Sequence, residues 1–302
     1  MTQELRYTVD EAFDYCGGVT ASHYENFPVA SLFLPEEKRP YIQAIYAFSR
    51  IADDFSDESD LSPGERLRKL DDWEAKLLRC YEGNADHPVF IALRETISRS
   101  DIPIEPLRDL LTAFRRDVTQ NRYETFEDLL GYCTCSANPV GRLVLMVFGY
   151  RDDALHRLSD AVCTALQLAN FWQDVDVDRS KNRLYIPLED FRRFGVTPEQ
   201  WGLGAFDENF RRLLKFEVVR TRQLFYQGSE LPSLVDRDLR IELRLVWFGG
   251  MAVLDRIEKV NSRGVRRRPI LRAGDKVLIL LRGLFVRDLS LYRRKPKPWD
   301  PT

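Results

Sequence analysis

The sequence predicts an all-helical chain folded as a single domain. Three observations point there. Leu, Ala, Arg and Glu recur at three-and-four spacing almost throughout, the apolar–polar alternation of strands is scarce, and proline and glycine fall where one periodic segment gives way to the next. The 302 residues suffice for one large domain or two ordinary ones, and 44% hydrophobic residues allow a substantial core. With no repeat, Gly/Ser linker or low-complexity stretch, one helical bundle over 1–302 is the simplest organisation.

Taken in order, Pro35 precedes a helix expected over 36–56. Ser62-Pro63-Gly64 opens a second, which carries Leu67, Leu70, Trp73, Leu77 and Leu78 at helical spacing. Pro103 and Pro106 open a third that runs to about 120. Asn138-Pro139 interrupts an apolar run that resumes over Leu143–Phe148. A long helix is expected over 153–177, then a loop with short turns over 182–198. Helices resume over 207–228 and 234–261, and the last spans 273–292.

Charge and cysteine usage exclude several classes. The net charge of −2 is not that of a polycation built for nucleic acid, so no nucleic-acid partner is expected. Five cysteines form no CxxC pair and no even set, which fits a reducing, cytoplasmic compartment; Cys133 and Cys135 read as small packing residues. Three scattered histidines, His23, His87 and His156, make a zinc site improbable. The acidic N-terminus lacks the pattern of a signal peptide, and no window approaches the ~20 apolar residues of a transmembrane helix.

Two acidic stripes carry the chemistry. In Arg50-Ile-Ala-Asp53-Asp54-Phe-Ser-Asp57-Glu58, the ~100° step of a helix places Tyr46, Arg50, Asp53 and Asp57 on one narrow stripe. It continues the apolar line of Ile42 and Ile45, where unpartnered carboxylates would be costly and a cation would remove the cost. By itself the segment also reads as an acidic helix end in solvent. In Gln167-Leu-Ala-Asn170-Phe-Trp-Gln173-Asp174-Val-Asp176-Val-Asp178, Gln167, Asn170, Asp174 and Asp178 share a face, with Asp176 opposite. By itself this too reads as a polar helix terminus. Together, two facing Asp-x-x-x-Asp helices would supply the hard oxygen ligands that Mg²⁺ takes alongside water and substrate phosphates; Mn²⁺ would serve as well. There is no P-loop. Asp117, on the stripe of Leu110 and Phe114, either faces the same cavity or is a capping or ion-paired residue.

With these motifs the sequence resembles the squalene/phytoene synthase family of head-to-head prenyl synthases over roughly 15–270. The likeness rests on the run from Tyr46 to Glu58, the run from Arg122 to Cys133, and the run from Leu166 to Asp178 followed by Asn182-Arg183-Leu-Tyr185-Ile-Pro187. The resemblance implies an isoprenoid-synthase bundle with the two Asp-rich helices around a central cavity, acting on an isoprenoid diphosphate. It assigns Asp53, Asp57, Asn170, Asp174 and Asp178 to Mg²⁺, and adds Tyr46 to the catalytic set. Substrate binding then falls to Arg50, Asp54, Gln167, Arg183, Tyr185, His23 and Asp117.

Within the family the chain is most similar to bacterial hydroxysqualene synthases of hopanoid biosynthesis. The pointers are the segment from His23 to Ala30, the run from Tyr132 to Arg142, and Asn170-Phe-Trp-Gln173-Asp174. That subgroup ionises presqualene diphosphate, rearranges the cation and quenches it with water, so no NADPH is expected, and an upstream presqualene diphosphate synthase is implied. Condensing members usually carry hydroxyl residues or Lys where this chain has Tyr24, Glu25 and Asn26, and Arg where it has Gln173. Finally, Arg282, Arg287, Arg293, Arg294, Lys295 and Lys297 interleave with Leu281, Leu284, Phe285, Leu291 and Tyr292. That tail suits peripheral contact with the inner face of the cytoplasmic membrane, or a basic helix closing the bundle.

Overall fold

Proline and hydroxyl caps start many of the helices where the sequence places them. In the computed structural model, residues 7–22, 33–204, 206–261, 268–286 and 288–292 are described, and they are helical almost throughout. The helices are α1 (Val9–Ser22), α2 (Arg39–Asp57), α3 (Pro63–Tyr81), α4 (Pro88–Ser100), α5 (Glu105–Thr119), α6 (Phe126–Ser136) and α7 (Asn138–Val147). They continue as α8 (Asp153–Gln173), α9 (Val175–Ser180), α10 (Leu188–Phe194), α11 (Pro198–Gly202), α12 (Glu208–Gln227), α13 (Arg237–Asn261) and α14 (Ala273–Phe285). Ser62 and Glu65 form a reciprocal capping box at α3, as do Thr125 and Asp128 at α6 and Thr197 and Gln200 at α11.

The chain divides into two compact units, residues 1–119 with 139–156, and residues 120–138 with 157–302. In the first, α2 packs against α1, α3, α4 and α5. Its core is aromatic: the Trp73 ring centre lies 4.6 Å from that of Phe90, and Trp73 Nε1 donates to the Phe48 carbonyl at 3.3 Å. Arg66 donates to the Ser56 carbonyl at 2.8 Å and so satisfies an orphan acceptor at the acidic end of α2. Arg115 bridges Asp71 and Glu74, both at 2.7 Å, tying α5 to α3.

In the second unit α13 packs against α12 and α14, and α10 lies on α12. A buried charge cluster holds that last contact. Arg220 donates to Asp190 at 2.9 Å and to the fully buried Glu217 at 2.6 Å, with its guanidinium 3.4 Å from the centre of the Phe126 ring. Burial pushes the Glu217 carboxyl up to about 8, although Arg220 favours its ionised form.

Three expectations are corrected. The helix expected over 153–177 ends at Gln173, and Asp174, with φ −101° and ψ 12°, breaks it before the short α9. The stretch 182–198 is not only loop. Residues 183–189 run beside 121–124, with Leu184 N–H to Asn121 O at 2.9 Å and, in the first turn of α10, Leu188 N–H to Tyr123 O at 3.0 Å. The last helix ends at Phe285, and Leu289–Tyr292 forms a separate 3₁₀ turn.

Candidate active site

Helix α2 delivers the first stripe. Ile42 and Ile45 are buried and Tyr46 is half-buried above them. Arg50 reaches Asp53 at 3.2 Å and also hydrogen-bonds Asp54. Burial works against the charge on Arg50, but the bond to Asp54 and the charges of Asp53 and Asp54 outweigh it and raise its pKa. Asp53 and Asp54 are half-buried, while Asp57, the last helical residue, is exposed. Asp117 is half-buried on α5, which packs on α2.

The second stripe sits on a helix that bends without losing its ladder. Asp174 N–H reaches Asn170 O at 2.9 Å, and Asp178 N–H reaches Asp174 O at 2.8 Å. The i, i+4 relation of Asn170, Asp174 and Asp178 therefore survives the break between α8 and α9. Asn170 is exposed, and Gln167 and Asp178 are half-buried. Asp174 is more enclosed than Asp53 or Asp54, its side chain 14% exposed. Its carboxylate is gripped by Arg268, which bonds one oxygen through Nε and the other through Nη2 at 2.9 Å. The neighbouring Gln173, 4% exposed, donates its amide to the Pro269 carbonyl. Asp176 pairs with Arg179 at 2.8 Å, and Arg179 also donates to the Gly202 carbonyl at 3.1 Å. Asp176 thus anchors α9 to the turn after α11 and stands apart from the stripe.

Beside Asp178 lies a small cleft lined by Phe171, Val175, Arg183, Tyr185, Ile186 and Trp201. Phe171 and Tyr185 stack with ring centres 3.7 Å apart, and Tyr132 flanks both at 6.0 Å. Tyr123 stacks on the other side of Tyr185 at 5.9 Å. The segment 183–187 leading into α10 fixes this arrangement, because Arg183 N–H is bonded to Asp178 O at 2.8 Å and Leu184 N–H to Asn121 O at 2.9 Å. Arg183 and Tyr185 are thereby held against the second stripe. His23, and the segment 24–26 with it, lies outside the described residues.

The donor chemistry suits Mg²⁺. Among the described residues no three His, Cys, Asp or Glu side chains gather as a ready-made metal cage. Each stripe instead offers carboxylates one helical turn apart, the sparse hard-oxygen set that Mg²⁺ completes with water and substrate phosphate. At Asp174 a cation is already accommodated, in the form of the Arg268 guanidinium.

The squalene/phytoene synthase family model matches residues 20–274. The chain belongs to that family. The hydroxysqualene synthase of Sinorhizobium fredii is 38% identical over 229 residues, covering 75% of this chain and 77% of that protein. The 15-cis-phytoene synthase of Synechocystis sp. is 31% identical over 285 residues, covering 90% and 84%. Among solved structures, squalene synthase HpnC from Alicyclobacillus acidocaldarius superposes with a TM-score of 0.80 at 43% identity, covering 84% of this chain and 95% of that one. A dehydrosqualene synthase gives 0.82 at 26% identity, covering 91% and 96%.

The fold is therefore that of the isoprenoid synthases, and the protein is an enzyme of isoprenoid biosynthesis, a head-to-head prenyl synthase. Two features of this synthase escape sequence reasoning. Arg268 belongs to a basic run that reads as tail charge, and nothing local reveals its bond to an aspartate 94 positions away. Trp201 falls between the loop expected over 182–198 and the helix expected from 207, a stretch given no role, yet it lines the cleft, with the Arg122 guanidinium 5.1 Å from its ring centre.

Proposed function

We propose that the enzyme is a hydroxysqualene synthase: it ionises presqualene diphosphate, rearranges the cyclopropylcarbinyl cation, and ends the reaction with water. The observation that carries this reading is Gln173. Condensing members of the family often carry Arg at this position, whereas here a neutral amide is buried and spent on the Pro269 carbonyl. A site that holds one diphosphate on an already joined C30 skeleton needs fewer cationic donors than a site that joins two. Identities of 37–38% to three hydroxysqualene synthases agree with it.

In the proposed reaction one C–O bond breaks and its electron pair leaves with the diphosphate. A new C–O bond forms from water, which gives up a proton, and no hydride is consumed. Asp53, Asp57, Asn170, Asp174 and Asp178 would hold Mg²⁺. The metal supplies charge neutralisation for the leaving diphosphate. Arg50 and Arg183 bind diphosphate oxygens directly, with Arg50 positioned by Asp53 and Asp54. Phe171 and Tyr185 present apolar, electron-rich walls that exclude bulk water and favour a nearby cation. The candidates for positioning the quenching water are the polar groups Asn170 and Tyr46, one on each stripe.

A second reading, a condensing phytoene- or squalene-type synthase, is favoured by the phytoene synthases that align with as much as 90% of the chain. One experiment separates the two. Purified enzyme with Mg²⁺ and no NADPH is given farnesyl diphosphate or presqualene diphosphate in separate reactions, and the products are identified. Conversion of presqualene diphosphate to a C30 alcohol supports the proposal. Conversion of farnesyl diphosphate alone to a C30 diphosphate or hydrocarbon moves the enzyme to the condensing class.

A further inference from the structure

Helix α14 is amphipathic in the wrong direction for a helix facing water. Gly283 is its buried residue, and a Cβ there would meet Leu245 Cδ2 of α13 at 2.5 Å, so this side lies tight against α13. Asp275, on the same side, pairs with Arg256 of α13, with Nε to Oδ2 at 2.9 Å. The opposite side is entirely apolar. Val277, Leu278, Leu280, Leu281, Leu284 and Phe285 are all exposed, Phe285 by 76%. At ~100° per residue they fill an arc of about 160° that contains no charged or polar side chain. Leu291 in the following 3₁₀ turn adds 80% exposure. A contiguous apolar face of this kind marks an interaction surface.

The charge around this helix says what it meets. Residues 263–297 hold twelve Lys and Arg against two Asp, a net charge of +10 in a chain whose total is −2. Exposed Lys276 and half-buried Arg282 flank the apolar arc on its two sides. A second copy of the chain, docking through the same face, would bring two such basic segments together, which is unfavourable. An anionic surface is complementary. The 13-residue helix spans ~20 Å, too short for the ~30 Å hydrocarbon core, and no described helix is long and apolar enough to cross a membrane. We propose that the outward face of α14 lies in the interface of an anionic lipid bilayer, with Leu281 and Phe285 inserted among the acyl chains and the flanking basic residues against the headgroups. The inference does not rest on the product assigned above, since it concerns a separate surface.

The test is co-sedimentation of the full chain with vesicles of phosphatidylcholine alone and of phosphatidylcholine mixed with phosphatidylglycerol. The wild-type protein is expected to sediment with the mixed vesicles, to be released by high salt, and to bind neutral vesicles weakly. The variant Leu281→Glu/Phe285→Glu should lose about tenfold or more in vesicle affinity, since it replaces inserted apolar area with charge. Val277→Glu alone should lose less. Unchanged circular dichroism and unchanged turnover of detergent-dispersed substrate in both variants keep the loss attributable to the surface. Equal vesicle binding by wild type and variants overturns the proposal. So does a wild-type dimer that binds no vesicles and is dispersed by Leu281→Glu/Phe285→Glu, an outcome that gives the face to a second copy.

Discussion

The two acidic stripes are alike in sequence and unlike in how their charge is balanced. On α2 Arg50 supplies a local balance: it reaches Asp53 and Asp54 within one helical turn, and Asp57 ends the helix exposed. On the α8–α9 stripe it is long-range: Asp174 is enclosed and held in both oxygens by Arg268, which lies 94 positions away. The Arg50 pairs of the first stripe can form as soon as the helix does. The second requires the tertiary fold, and a metal arriving at Asp174 must displace an ion pair that a metal arriving at Asp57 does not meet in the form of Arg268. A pair with one enclosed partner resists screening more than a surface pair does. The carboxylates of the second stripe are thus not left to repel one another, so removing Asp174 is not expected to stabilise the fold as removing an uncompensated charge would.

The comparison can be broken in order of effect size. Asp57→Ala and Asp174→Ala should each lower turnover by on the order of 10²-fold or more, as loss of a group stabilising the leaving charge does. Excess EDTA should abolish activity in the wild type, and full activity in EDTA would remove the metal role from both stripes. The two variants should then differ in melting temperature: Asp174→Ala should lower it, because Arg268 loses its partner, and Asp57→Ala, at an exposed helix end, should lower it less. Equal melting temperatures would end the distinction between the stripes.

Arg268→Gln sharpens the same point with a smaller effect. With no substrate present, Mn²⁺ bound to the variant and measured by electron paramagnetic resonance should bind several-fold to about tenfold more tightly, because the competing ion pair is gone. Unchanged or weaker Mn²⁺ binding would mean that Arg268 does not compete for Asp174. Asp176→Ala should change turnover less than about threefold and cost no more than about 1 kcal/mol of stability, as its pair with Arg179 is partly exposed.

The last and smallest effect concerns Glu217. Its folded pKa is raised above the usual carboxylate value, so the folded state holds the proton more tightly than the unfolded one between about 4.5 and about 8. The stability this gives is complete at low pH and is lost as pH rises through that window. Melting temperature should fall from pH 6 to pH 9 in the wild type, and Glu217→Gln should flatten part of the fall. A parallel pH profile in the variant would place the proton elsewhere.

Legibility in the sequence follows the same division between local and long-range causes. Helices α2, α3 and α12 are readable because each has a polar face and a proline or cap at its start, and α13 because of its length and periodicity. Helix α4 also begins with a proline, but Pro88 to Leu93 are all buried, and a stretch apolar on every side shows no period. Helix α1 is obscured by Gly17-Gly18, which lowers any helical reading. The break at Asp174, the pairing of 183–189 with 121–124, and the grip of Arg268 depend on partners far along the chain. Asp53, Asp57, Asn170, Asp174 and Asp178 were legible as stripes because spacing on a helix is a local property. Arg268 and Trp201 were not, because only the fold brings them to the site.

The measurement that tests the central claim most directly is turnover of presqualene diphosphate in H₂¹⁸O. If the enzyme ends its reaction with water, one labelled oxygen appears in a C30 alcohol, and adding NADPH changes neither rate nor product. An unlabelled alcohol, or a hydrocarbon that forms only with NADPH, would contradict the account.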